Sequence, residues 1–200
     1  MTTISAQAVA TLRAKSGAGM MDCKKALVET GGDEVKAMEL LRAKGLKTAD
    51  KKADRVTGDG RVHAYIHHNQ KVGVLVEVAC ETDFVARGEV FTQLLNDLCM
   101  HIAAIRPTPV AVLESDVSEE LVSEEKRQLL LAEDLQGKPD EIKEKIVGGR
   151  IRKFITERAL YSQEFVKDPS VTVEDMVKKV IANLGENIKV NRFSRFELGS

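Results

Sequence analysis

Apolar residues recur every three or four positions along the first part of the chain, then at every second position in the stretch that follows. Ala8, Val9 and Leu12 fall at helical spacing behind Ser5, whose hydroxyl suits an N-cap. Gly17-Ala18-Gly19 stops that helix, and a second runs from about Met21 to Thr30 with Cys23, Ala26 and Leu27 inward. Gly31-Gly32 closes it. Asp33 caps a third helix carrying Val35, Ala37, Met38 and Leu41, and Gly45 is its expected end. Residues 1–45 thus read as a compact three-helix module, close to the lower size limit for independent folding.

Residues 44–55 set Lys44, Lys47, Lys51, Lys52 and Arg55 against Asp50 and Asp54 with little apolar content, so 46–58 reads as a basic, partly helical hinge. Beyond Gly58-Asp59-Gly60 the period changes to two: Arg61 to His67 alternates, and Lys71 to Cys80 is rich in Val. His68-Asn69-Gln70 suits the tight turn between them. A helix from about Gly88 to Ile105 follows, with Phe91, Leu94, Leu95, Leu98 and Ile102 on one face, until Arg106-Pro107-Thr108-Pro109 breaks it. Residues 118–136 and 139–158 are two charged helical stretches that predict an antiparallel helical hairpin over 118–158. Thr172 caps a further helix that Gly185 ends, and Ile188 to Phe196 reads as a third strand. The expected class is α+β: the three-helix module, then a core domain over 59–200 in which helices cover a small antiparallel β-sheet.

Composition narrows what such a body does. Of 200 residues, 43% are hydrophobic and 30% charged, which excludes disorder throughout. No run approaches the roughly 18 to 20 apolar residues of a membrane span, so no membrane partner is expected. Met1-Thr2-Thr3-Ile4-Ser5 lacks the start of a signal peptide, which predicts a cytoplasmic address. A net charge of −1 argues against direct nucleic-acid binding, and 4% aromatics without Trp argue against base-stacking platforms. Any Phe held at the surface becomes a candidate anchor for a large partner.

Enzymatic signatures are scarce. There is no G-x-x-x-x-G-K-[ST], and Gly17-Ala18-Gly19 fails as a dinucleotide motif because Asp22 stands where the third glycine belongs. His63, His67 and His68 cluster on one hairpin without Cys or acidic partners to complete a metal site. Cys23, Cys80 and Cys99 are too few and too dispersed for a disulfide framework, and Glu81 beside Cys80 disfavours a thiolate. No metal, no cofactor and no covalent catalysis are expected.

Two stretches ask for more than packing. Ser16 to Leu27 (SGAGMMDCKKAL) joins a small-residue turn to two flexible thioethers beside cationic Lys24, a combination suited to docking on a partner's helix. Cys80 to Arg87 (CETDFVAR) lies between a core strand and a helix, where Asp83 could cap the helix and Phe84 could plug the core. A strand-to-helix turn is equally a rigid place from which to present an aromatic. SGAGMMDCKKAL followed by GGDEVKAMELLRAKG resembles the N-terminal module of the bacterial translation elongation factor Ts family. ETDFV after a Val-rich strand, QEFV at Gln163–Val166 and FSRFEL at Phe193–Leu198 resemble that family's later segments, so the likeness spans the chain.

The resemblance implies a guanine nucleotide exchange factor that binds the GTPase elongation factor Tu and promotes GDP release, with no enzymatic step of its own. It implies that Phe84 wedges into the nucleotide-binding domain, that Asp83 fixes the turn or contacts the same surface, and that Thr82 and Val85 belong with them to the partner-binding stretch. It implies that Arg13, Met20, Met21 and Lys24 dock the ubiquitin-associated-like N-terminal module, and that His68 matches a turn histidine of the family's core. Longer members carry two related core subdomains and a further helical module, whereas these 200 residues encode one hairpin-plus-helix set; a homodimer is therefore expected. The competing readings are an adaptor with no effect on nucleotide and, third, an enzyme using Cys80 or the histidines.

Overall fold

The computed structural model describes residues 4–199, so Met1–Thr3 and Ser200 lie outside the described residues, and with them the start on which the leader reading rests. Helices α1 (Ala6–Ser16), α2 (Met20–Glu29) and α3 (Glu34–Asp50) come first. Their ends follow local chemistry. Ser5 Oγ accepts from the Ala8 amide, Asp33 accepts from the Lys36 amide, and Gly17 closes α1 at φ 71°, which a side chain resists. Val9, Leu12, Cys23, Ala26, Leu27, Ala37 and Leu41 form one buried cluster.

Two expectations about α3 need correction. The helix does not end at Gly45 but runs to Asp50, so the first part of the 46–58 stretch is regular helix. A lone interior glycine costs only about 1 kcal/mol of helix propensity. Contacts to a later helix, α8 (Val173–Leu184), outweigh it: Arg42 pairs with Asp175 at 2.7 Å, Lys178 with Asp50 at 2.8 Å, and Gly45 faces Ala182. Val35 is exposed, because it lies two residues, about 200°, round the helix from buried Ala37.

Strands β1 (Asp59–Ile66), β2 (Val72–Cys80) and β5 (Ile188–Glu197) form a three-stranded sheet in the order β1-β2-β5. Gly60 opens β1 where no side chain fits: a Cβ there would sit 2.3 Å from the Val78 carbonyl oxygen. The His67 amide donates to the Val72 carbonyl across the hairpin, and the Leu198 amide to that of Lys71. That register puts Val62, Ile66, Leu75 and Phe196 on one exposed face, while Val72, Val74, Val76 and Val78 alternate inward.

Between β2 and the last strand lie α4 (Asp83–Ala86), α5 (Glu89–Ala104), α6 (Glu119–Leu130), α7 (Asp140–Arg158) and α8. Helices α6 and α7 make the expected hairpin, tied by the Arg150–Asp134 ion pair. A second, two-stranded sheet pairs β3 (Glu164–Phe165) with β4 (Asp168–Thr172) and was not expected; it is too short and irregular to show a period. The fold is α+β, with N-terminal helices followed by a small antiparallel sheet and helices.

Two compact units result. One holds the chain through Arg61, Val78–Leu94 and Asp175–Lys189; the other holds Val62–Glu77, Leu95–Glu174 and the chain from Val190 on. The first unit thus contains more than the N-terminal helices: the end of β2, all of α4 and most of α8 belong to it.

Candidate functional site

Helix α4 is a single turn, far too short to persist by itself. Three features hold it. Thr82, not Asp83, is its N-cap, with Oγ1 accepting from the Val85 amide. Asp83 instead pairs with Arg87 at 3.0 Å across the helix. Val85 and Ala86 turn inward and are buried. Phe84 points the other way and is 84% exposed, so it plugs no core. Val85, at 8% exposure, anchors the turn from its buried side.

The turn ahead of α4 is fixed by residues the sequence did not single out. The Glu186 carboxylate accepts from the Thr82 hydroxyl at 2.6 Å, the Thr82 amide at 3.0 Å and the Glu81 amide at 3.2 Å. Glu81 reciprocates by accepting from the Asn187 amide at 2.6 Å, and Arg55 reaches the same carboxylate at 3.5 Å. The buried Asn187 side chain donates to the carbonyls of Ala53 and Arg55. The available signal was Glu186-Asn187 itself, two polar residues between the glycine that ends α8 and the apolar start of β5.

In the same unit, Arg13 and Met20 are brought together along an open groove completed by Asn183 of α8. Met20 and Met21 are 55% and 63% exposed at the start of α2, and Lys24 is exposed one turn further on. Cys23, Ala26 and Leu27 supply the buried face, leaving both thioethers free of the core. His68 belongs to the other unit. It is exposed at the β1–β2 turn, its ring centroid 4.1 Å from that of His67, which in turn contacts the Tyr65 hydroxyl.

The family described as Elongation factor TS matches residues 6–200. The chain belongs to the elongation factor Ts family. It is 52% identical over its whole length to elongation factor Ts of a Prochlorococcus marinus strain, covering 91% of that protein. It is 53% identical to that of Synechocystis sp., again covering 91%, and 51% identical to that of Microcystis aeruginosa, covering 79%. Membership makes it a translation elongation factor.

The thiols of this family member are poorly placed for chemistry. All three cysteines are buried. Burial, with the Glu186 carboxylate nearby, raises the Cys80 pKa, and burial alone pushes Cys99 up to about 12. Both stay protonated and weakly nucleophilic at neutral pH. Among the described residues no three His, Cys, Asp or Glu side chains gather to hold a metal, and no helix is long and apolar enough to cross a membrane.

Proposed function

We propose that the chain is the guanine nucleotide exchange factor of elongation factor Tu, acting in the cytoplasm by binding and not by covalent chemistry. The observation that carries the reading is Phe84, a large aromatic 84% exposed on a capped and clamped turn. An isolated exposed ring of that size on a held backbone is a docking anchor. Arg13, Met20, Met21 and Lys24 add a second contact in the same compact unit, cationic and thioether-rich. Asp83 stays with the turn through Arg87, and His68 is an exposed contact of the other unit.

Such a protein works by difference in affinity. It binds the nucleotide-free or distorted GTPase better than the GDP-bound form, so its binding weakens GDP, and GDP reciprocally weakens it. The test is release of fluorescently labelled GDP from elongation factor Tu with and without the chain. Faster release, saturating with chain concentration, is the expected result. Binding with unchanged release returns the chain to an adaptor, and no binding defeats both readings.

The same reading extends to a homodimer. Val62, Ile66, Leu75 and Phe196 expose an apolar sheet face, and such faces mark interfaces in soluble proteins. A two-fold pairing of this face would cover it in both copies. Sedimentation equilibrium at micromolar concentration is expected to give a dimer that the double change Ile66→Lys, Phe196→Lys dissociates. A wild-type monomer that forms a fully active one-to-one complex overturns the dimer.

A further inference from the structure

We infer that Glu186 is a positioning residue for Phe84, acting through the backbone of the strand-to-helix turn rather than through any contact of its own with the GTPase. The inference rests on the exchange-factor reading and names what makes the wedge effective.

Strand β2 ends at Cys80 and β5 begins at Ile188, so the backbone ladder stops there. Side chains continue it. The Glu81 and Thr82 amides and the Thr82 hydroxyl all converge on the Glu186 carboxylate, and the Asn187 amide returns a bond to Glu81. Charge-assisted bonds of this kind are shorter and stronger than neutral ones. Asn187 then ties the pair of turns to the carbonyls of Ala53 and Arg55 behind α3. None of these bonds involves the Phe84 ring.

A four-residue helix has no internal means of fixing its direction. Val85 and Ala86 bury one side, but the entry angle of the chain is set at residues 81 and 82, where Glu186 holds both amides. Without that carboxylate the turn must be ordered as the GTPase docks, and the ordering cost is subtracted from the energy the ring delivers. A residue acting in this way matters only while the ring is present. A residue that merely glues the fold matters either way.

A double-mutant cycle separates the two. Glu186→Ala is expected to slow GDP release at saturating chain about tenfold, and to add little once Phe84→Ala is in place. Amide hydrogen exchange at Glu81 and Thr82 should quicken while far-UV circular dichroism stays unchanged. Glu186→Gln, which retains an acceptor oxygen, should fall between. If Glu186→Ala fails to fold, Glu186→Gln takes its place in the cycle and must show the same non-additivity with Phe84→Ala. Full exchange by folded Glu186→Ala, or a loss that simply adds to that of Phe84→Ala, overturns the positioning role while leaving the exchange reading intact. If Phe84→Ala alone exchanges normally, the wedge reading falls and the role of Glu186 with it.

Discussion

Replacing Phe84 by Ala isolates the energy of one ring. In the free protein the ring is 84% exposed, and the bonds that hold its turn run through Thr82, Glu81 and Glu186. Alanine is also a better helix former than phenylalanine. The variant should therefore melt like the parent, within the roughly 0.5 kcal/mol typical of surface substitutions. Against a partner, full burial of a Phe side chain contributes about 1.5–3 kcal/mol. At about 1.4 kcal/mol per tenfold, GDP release at saturating chain should slow by about ten- to a hundredfold or slightly more. Stopped-flow release of labelled GDP, beside thermal melts of both proteins, reads both quantities. Unaltered release from a variant that melts normally refutes the wedge. A large drop in melting temperature refutes the premise that the ring lies outside the core.

Met20→Ala with Met21→Ala should raise the concentration of chain needed for half-maximal GDP release more than it lowers the saturated rate. Both thioethers lie outside the buried face of α2, so the melting temperature should hold; an unchanged half-saturation point defeats the docking role. Stability should fall as pH drops below about 6.5, the ordinary histidine value, because burial holds the His101 pKa below it in the folded chain. The unfolded chain then binds the extra proton first, so this contribution is complete above the ordinary value and is lost towards the lower folded one. Urea midpoints of the parent should drop between pH 7.5 and 5.5 more than those of His101→Leu; equal slopes would exclude His101 as the cause.

How far the sequence could be read depended on the distance over which each interaction acts. The caps of α1 and α3 lie three residues from the amides they accept from, so Ser5 and Asp33 were legible. The inward faces of α5 and β2 were legible from period alone, since one side of each is buried. Gly45 misled because its local cost is small and α8, more than 120 residues away, decides the matter. Phe84 could be placed on a turn, but whether it turned in or out depended on Val85 and Ala86 taking the buried side. Glu186 could be marked only as one of two polar residues between a helix-ending glycine and an apolar strand; its donors stand about 105 residues earlier, so its role as a clamp was not legible. His101 is similar: it reads as one more position on an amphipathic helix until Gln163 and the Val166 amide claim its two nitrogens.

Helix α8 explains why the N-terminal helices are less separable than their size suggests. Its residues pair with Arg42 and Asp50, face Gly45, and complete the groove of Arg13 and Met20 through Asn183. Immediately after it, Glu186 clamps the turn of Phe84 and Asn187 fastens the chain behind α3. Both proposed contact groups of this unit are thus referenced to one helix and the two residues that follow its terminal glycine. Removing the first 55 residues would take away more than a docking surface. It would strip the Asn187 side-chain amide of both carbonyl acceptors and open it to water, so the bonds that tie this chain segment behind α3 are lost. That loss falls one residue from the carboxylate holding Phe84. A truncated chain should therefore exchange nucleotide more poorly than the loss of Met20, Met21 and Lys24 alone accounts for, because the clamp loosens along with the dock.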